Sequence, residues 1–300
     1  MDVSRDDVLA IFEIAADLKA KARAGERPAL LQHKVLTQIF EKPSLRTRLS
    51  FESAIVQLGG QSSFFSAKDA GLYGRESLHD VAKVTGSISD FVVLRTYEQT
   101  MVNDFAKWAN CPIINGLSDD HHPCQALTDL FTIKEVFGTL DGLHLAFIGD
   151  GNNVATSLAT LCSMLDVAMT LVTPPGYQIR PEIVSEIRNR YPNSQFRQSP
   201  NYLSAVKNAD IVYTDVWTSM GQEDQAEDRR RDFKDFQINE ELMASSKKTC
   251  RFMHDLPAHR GEEVTDAIID GSKSIVFQQA ENRMHLAKGL LVWLDRQRSA

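Results

Sequence analysis

No stretch of this chain has the roughly 18 or more consecutive apolar residues that a membrane-spanning helix needs, nor the shorter apolar run of an export signal. The opening residues, Met1-Asp2-Val3-Ser4-Arg5-Asp6-Asp7, are polar and acidic, so a cytoplasmic protein without membrane association is expected. Cysteine is scarce. Cys111, Cys124, Cys162 and Cys250 lie far apart and form no C-x-x-C pair, so neither a disulfide scaffold nor a zinc framework is indicated. Positive charge is also in deficit: 33 Lys and Arg against 40 Asp and Glu leave a formal net charge of -7. The clustered cations that a nucleic-acid or membrane-surface binder requires are therefore missing. The one basic cluster, Arg229-Arg230-Arg231, is set among acids between Glu223 and Asp235 and reads as a solvated loop. Fixed-period repeats and low-complexity segments are absent too.

What is present is an ordinary globular composition, 43% hydrophobic and 24% charged over 300 residues, a length suited to about two domains of roughly 150 residues. After a first amphipathic helix, capped by Ser4 or Asp6 and ending near Gly25, the pattern alternates. Short apolar runs (Val35 to Phe40, Ser63 to Phe65, Phe91 to Leu94, Pro112 to Asn115) are separated by helical patterns (Leu49 to Leu58, Ser77 to Ile88, Thr100 to Ala109). That alternation predicts a parallel α/β sheet. A helix over Pro123 to Phe137, then Gly138 and Asp141-Gly142, suits a domain boundary. The alternation then restarts, with strands expected at Leu143 to Ile148, Ala168 to Val172, Asp210 to Tyr213 and Arg251 to Met253, and a helix at Asn153 to Leu165. The fold class expected is α/β, two parallel-sheet domains in series, over residues 1–137 and 138–279.

The stretch Phe40-Glu41-Lys42-Pro43-Ser44-Leu45-Arg46-Thr47-Arg48 joins a strand to a helix start. There the helix offers unpaired backbone N–H groups and the positive end of its dipole. Ser44 and Thr47 add hydroxyls, and Arg46 and Arg48 add guanidiniums, so the turn is built to receive a phosphate-like anion. Taken alone, S-x-R-T-R reads about equally as a helix cap beside two surface arginines. A second junction, Gly149-Asp150-Gly151-Asn152-Asn153, also follows a strand and opens a helix. As a dinucleotide site it is a weak match: the third glycine is missing, and the next strand ends in Thr173-Pro174-Pro175 instead of an acid for ribose hydroxyls. An NAD-dependent oxidoreductase is thus a lesser alternative.

Four further stretches complete the pattern: His122-Pro123-Cys124-Gln125, Asp215-Val216-Trp217-Thr218-Ser219-Met220-Gly221, His254-Asp255-Leu256-Pro257 and Ala280-Glu281-Asn282-Arg283. Each has a bland reading on its own, as helix-capping polar groups or a strand end running into a loop. In this order and spacing the chain resembles the aspartate/ornithine carbamoyltransferase family over nearly its whole length, and most closely the members that use ornithine.

The resemblance implies an enzyme that transfers the carbamoyl group of carbamoyl phosphate to the δ-amine of L-ornithine, giving L-citrulline and phosphate in arginine metabolism. It implies that Ser44, Leu45 (through its backbone), Arg46, Thr47 and Arg283 hold carbamoyl phosphate, with Gln125 on its amide. Thr47, Arg95 and His122 would form a pocket for the oxyanion that develops on the carbamoyl oxygen. Asn153, Asp215, Ser219, Met220, Asp255 and Leu256 would receive ornithine, Asp215 pairing with its α-ammonium. An acid there suits a cationic amino acid, whereas aspartate would call for bases. The run from Ala280 to Leu294 would pack back on the first domain as a second interdomain helix. A homotrimer is implied, with sites at subunit interfaces and Arg75 reaching a neighbour's site in trans, and with ordered binding and domain closure. No metal, organic cofactor or covalent intermediate is implied.

The chain departs from the family pattern at Asp255, where ornithine-using members have cysteine beside the reacting amine. A carboxylate there could accept a proton from the δ-amine, could hold a charged amine tightly, or could mark another amine such as putrescine or an acylated ornithine. Leu45 stands where many relatives have threonine, and the loop from Lys68 to Ser77 lacks a glutamine near Gly71. A non-catalytic, phosphate-ligand-binding paralogue is the remaining alternative.

Overall fold

In the computed structural model of the chain, residues 2–72, 74–219 and 221–299 are described, Ser299 by its backbone alone. The first half runs α1 (Arg5–Arg23), β1 (Val35–Phe40), α2 (Leu45–Gln57), β2 (Gln61–Ser66), α3 (Leu78–Ile88), β3 (Phe91–Arg95), α4 (Gln99–Trp108), β4 (Ile113–Leu117) and α5 (Pro123–Phe137). The second half runs β5 (His144–Ile148), α6 (Asn153–Met164), β6 (Ala168–Val172), α7 (Pro181–Arg190), β7 (Phe196–Ser199), α8 (Tyr202–Lys207) and β8 (Ile211–Thr214), followed by α9 (Ala226–Phe233), α10 (Glu240–Ala244), β9 (Arg251–His254), α11 (Asp266–Ile269) and α12 (Val276–Ser299). Two compact units result, one comprising the chain up to Phe131 together with Glu281 onward, the other Thr132 to Ala280. The chain passes between them inside α5 and again inside α12. Gly138, at a φ of 77°, ends α5 beyond the first crossing.

The first unit holds a four-stranded sheet in the order β2-β1-β3-β4, parallel throughout. β1 and β3 are buried almost throughout because both of their faces are covered, Thr37 and Gln38 of β1 included, whereas the edge strand β2 alternates between exposed and half-buried positions. Helices α3 and α4 close one face over Val81, Val92, Leu94, Val102 and Phe105. The second unit holds a five-stranded parallel sheet in the order β7-β6-β5-β8-β9, with one face packed on Val206, Leu242 and Val264. In each sheet the strand order reverses once, between β1 and β3 and between β5 and β8. There the connections depart on opposite faces and open a crevice at the carboxyl ends of the strands.

Three local findings differ from the sequence expectations. Helix α2 begins at Leu45, not Leu49, because Ser44 caps it and accepts a bond from the Thr47 N–H. Strand β7, an edge strand, escapes a hydrophobic pattern since Phe196 is its one apolar residue. The Arg229-Arg230-Arg231 cluster is part of helix α9 instead of a solvated loop: Arg229 is only 6% exposed and bonds Asp150 and the Trp217 carbonyl, while Arg230 and Arg231 face solvent. Successive helical residues point about 100° apart, so a charge run can divide between the core and water. Among the described residues, no helix is long and apolar enough to cross a membrane.

Within the first unit, α1 crosses α12 at Gly289, where a Cβ would lie 2.6 Å from the Ile11 carbonyl oxygen. Nearby, buried Lys19 donates to the Asn282 side chain and buried Lys288 to Gln57, each at 2.6 Å. Burial, with Lys288 and Lys19 close by, holds His285 down at about 4, despite its contact with Glu281. Because the ordinary value is 6.5, the unfolded chain binds more protons here than the folded one between the two values. Stability therefore falls as pH is lowered through that window, by up to roughly 3 kcal/mol from this residue. Urea unfolding of His285→Gln against the parent protein between pH 6.5 and 4.5 should show a shallower loss of stability in the variant. Parallel curves would assign the acid sensitivity to other groups.

Candidate active site

The crevice of the first unit is built at the ends of β1 and β3, which register Phe40 opposite Arg95. Ser44, extended at a φ of -157°, caps α2, and its hydroxyl accepts the Thr47 N–H at 3.2 Å. The first amides of α2 and its dipole are thus aimed out of the turn. Thr47 is buried, and its hydroxyl accepts from Arg283 Nη2 at 2.8 Å. The other guanidinium nitrogen, Nη1, donates to Gln125 Oε1, and Gln125 Nε2 in turn donates to Asp129 at 2.8 Å. Asp129, Gln125, Arg283 and Thr47 therefore form one buried relay that fixes the arginine's plane. His122 precedes α5, its carbonyl accepting the N–H groups of Gln125 and Ala126, with Pro123 at the position where a helix needs no donor. Burial first, then the charges of Arg283 and Arg95, hold the His122 imidazole well below its ordinary value. It is neutral at physiological pH and can present a single N–H to a ligand.

Four of the residues expected here, Thr47, Arg95, His122 and Arg283, are thus buried together. Arg46 is half-buried on the first turn of α2, and Leu45 beside it is 74% exposed. Arg48 turns away, its Nε on Glu52 at 2.8 Å and its guanidinium 3.8 Å above the Phe64 ring. Gln125 is fully buried with both ends of its amide engaged, and so supports Arg283. Arg75 is exposed in the loop before α3.

The crevice of the second unit lies at the ends of β5 and β8. Gly149 (φ 154°) and Gly151 shape its turn; at Gly151 a Cβ would sit 2.5 Å from the Ile179 nitrogen. Asp150 is raised by burial and pulled back by Arg229, which it meets at 2.7 Å. Asn152 caps α6, accepting the N–H groups of Val154 and Ala155, and its Nδ2 donates to Asp215 Oδ2 at 2.7 Å. Asn152 is thereby tied to the acid. Asn153 is half-buried as the first residue of α6.

Asp215 leaves β8 with its other oxygen accepting the Val216 N–H at 2.7 Å. Burial above all, then the neighbouring Asp255 carboxylate, pushes its carboxyl well above the usual range, against the pull of His254 and Asn152. His254, fully buried, contacts Asp255 at 3.4 Å through Nδ1 and Glu263 at 3.1 Å through Nε2. Burial opposes its charge, but Asp255 and Glu263 lift it to about 9. Leu256 takes a left-handed φ of 57°, rare for its type, and its N–H points at His254 Nδ1 at 2.9 Å. Ser219 is half-buried, its N–H on Gln222 Oε1 at 3.1 Å. Met220 lies outside the described residues.

Sequence reasoning missed Asn152, Arg229 and Glu263. An N-cap asparagine directly after a strand turn was the available signal for the first; nothing in sequence marks the other two, whose partners are 79 and 9 residues away. Among the described residues, two groups are close enough to surround a cation: Asp215, His254 and Asp255, and His259, Glu262 and Glu263. His254 faces Leu256 N–H and Glu263 with its two nitrogens, which leaves it no lone pair for an ion. In the second group, Glu263 Oε1 already takes the His259 N–H and His254.

Residues 1–135 match the family model described as the carbamoyl-P binding domain of aspartate/ornithine carbamoyltransferase, and residues 141–294 the one described as its Asp/Orn binding domain. The chain is 44% identical over 295 residues to ornithine carbamoyltransferase of Anoxybacillus flavithermus, covering 98% of this chain and 94% of that one. It is 44% identical over 292 residues to the anabolic ornithine carbamoyltransferase of Pyrococcus furiosus, with 97% and 93% covered. The solved structure of ornithine carbamoyltransferase from Pyrococcus furiosus matches with a TM-score of 0.93 at 43% identity, over 98% of this chain and 94% of that one. Matches to both family domains, with identity of this level along almost the full length, leave one assignment: the chain belongs to the aspartate/ornithine carbamoyltransferase family.

Proposed function

We propose that this chain transfers the carbamoyl group of carbamoyl phosphate to the δ-amine of L-ornithine, forming L-citrulline and phosphate. The observation that carries the choice of acceptor is Asp215: the crevice of the Asp/Orn-type unit carries a buried acid at the end of β8, with a second carboxylate, Asp255, beside it. The biosynthetic direction is supported by the anabolic relative from Pyrococcus furiosus, and a cytoplasmic setting by the acidic composition.

On this reading the phosphate rests on the first turn of α2, bonded by Ser44, the Leu45 amide, Arg46 and Thr47, with Arg283 behind them. The carbamoyl oxygen faces Arg95, His122 and Thr47. Attack by the neutral δ-amine forms the new C–N bond and a tetrahedral oxyanion, and those three donors stand where that charge grows. Collapse breaks the bond to phosphate, which leaves as an anion into the same positive turn, while the amine's proton goes to solvent. A neutral His122 suits this work, since it donates to an oxyanion without adding a charge that must be buried in the empty site. Asp215, with Asn152 and Asn153, Ser219, Met220, Asp255 and Leu256, receives the amino acid. A homotrimer is supported by Leu45, Leu49 and Val56, exposed along one face of α2, and by exposed Phe65 on β2; Arg75 would then act in trans.

Arg46→Ala removes a charge-assisted contact worth about 1.5–3 kcal/mol. The KM for carbamoyl phosphate should rise by about 10- to 100-fold, and kcat should fall as well; steady-state kinetics at saturating ornithine giving parent-like constants would remove Arg46 from the phosphate site. Asp215→Asn keeps shape and loses charge, so the KM for L-ornithine should rise by at least about tenfold while that for carbamoyl phosphate stays within about twofold. Equal weakening of both substrates would mean a folding defect. A parent enzyme that prefers putrescine would replace ornithine as the acceptor.

A further inference from the structure

Helix α12 carries Arg283 to the anion turn from the far end of the chain, so the seating of α12 on α2 decides where that guanidinium stands. Both ends of α2 bond it. Thr47, in the first turn of α2, accepts from Arg283 Nη2 at 2.8 Å. Gln57, its last residue, engages α12 with both ends of one amide: Nε2 donates to Met284 Sδ at 3.3 Å, and Oε1 accepts from Lys288 Nζ at 2.6 Å. Met284 and Lys288 lie one turn apart on the same face of α12, and Met284 adjoins Arg283. On the other side of Arg283, Asn282 accepts from Lys19 of α1 at 2.6 Å. The arginine therefore stands between two anchored neighbours.

Between the two ends of α2 the seam has slack. Ser50 and Phe51 of α2, with Leu286 and Leu290 of α12, line a cavity of about 10 Å³ beside Arg283, room for about one water. Apolar contact is non-directional, so it resists separation of two helices more than it resists their sliding or turning. A planar amide that holds a donor and an acceptor one turn apart resists both movements. Lys288 is 3% exposed, and burial together with Arg27 pushes its ammonium below the ordinary value. The Gln57 oxygen thus also satisfies a buried donor that would be costly to strand.

We propose that Gln57 is a positioning residue for carbamoyl phosphate: its amide sets the register of α12 on α2, and so holds the Arg283 guanidinium where it meets Thr47 and the phosphate. The inference rests on the carbamoyl phosphate reading given above. Gln57 stands about 15 Å along α2 from Thr47 and acts only through Arg283. Misplacing such a group by about 1 Å can cost up to roughly a hundredfold, far more than the two bonds of the amide are worth to stability.

Gln57→Leu keeps the bulk of the side chain and removes both bonds. Its KM for carbamoyl phosphate should rise by about tenfold, while the KM for L-ornithine at saturating carbamoyl phosphate stays within about twofold. Because this change leaves the Lys288 ammonium without its acceptor, the double variant Gln57→Leu/Lys288→Met is measured beside it. With no charge to strand, the double variant should fold and show the same selective rise. Gln57→Glu keeps an acceptor for Lys288, now in an ion pair, and should return the KM to within about twofold of the parent value. A tie that served stability alone would lower the unfolding temperature and leave both KM values unchanged. Parent-like constants in the double variant, a parallel rise for both substrates, or failure of Gln57→Glu to restore the KM would overturn the assignment. Carbamoyl phosphate is also titrated calorimetrically into the parent protein: binding there, with parent-like constants in the double variant, sinks the positioning role alone, and absence of binding sinks the substrate reading with it.

Discussion

Parallel strands joined by right-handed crossovers place their helices on one face or the other according to the direction of travel across the sheet. Where that direction changes, two neighbouring strands send their chains to opposite faces, and the space above their carboxyl ends is left to backbone turns and whatever side chains those turns carry. The first sheet makes this change between β1 and β3 and the second between β5 and β8. Several of the residues proposed to meet substrate stand at these breaks: Ser44, Thr47 and Arg95 at the first, Asn152 and Asp215 at the second. The rest of each sheet, with unbroken apolar strands such as Phe91–Arg95 up to its last residue, serves to hold those strand ends rigid.

The two crevices carry opposite charge, and burial gives that charge its force. In the first, Arg95 and Arg283 are nearly enclosed, and the relay of Asp129, Gln125 and Thr47 orients Arg283. His122 shows the same field from the other side, since the two arginines help keep its imidazole uncharged. In the second crevice, Asp150 meets Arg229 at 2.7 Å, while Asp215 accepts from the Asn152 amide and the Val216 N–H beside Asp255 and His254.

Much of this was legible in the sequence. The strands of both sheets that read as apolar runs, β1, β3, β5, β6 and β8, were recognisable because parallel strands buried on two faces leave a continuous apolar signature. The anion turn was readable from Ser44, Arg46 and Thr47 because N-capping and anion binding both follow from the helix terminus itself. What could not be read depends on distant partners. Arg229 looked solvated because the acids around it in sequence are not those it meets in space. Arg48 was indistinguishable from Arg46 until α2 put it beside Glu52 and the ring of Phe64.

Asp255 shows how a single carboxylate changes the meaning of its neighbour. Burial alone already pushes the Asp215 carboxyl up, and the neighbouring Asp255 carboxylate pushes it further. His254 pulls the other way, its own imidazole lifted to about 9 by Asp255 and Glu263 against its burial. Such a pair also raises the pKa of any amine it grips, since it favours the charged form. For the nitrogen that attacks the carbamoyl carbon this is a handicap, and for the one that only anchors the substrate it is an advantage. If position 255 lies beside the reacting amine, as the family resemblance implies, a carboxylate there raises the pH at which that amine is neutral and free to attack.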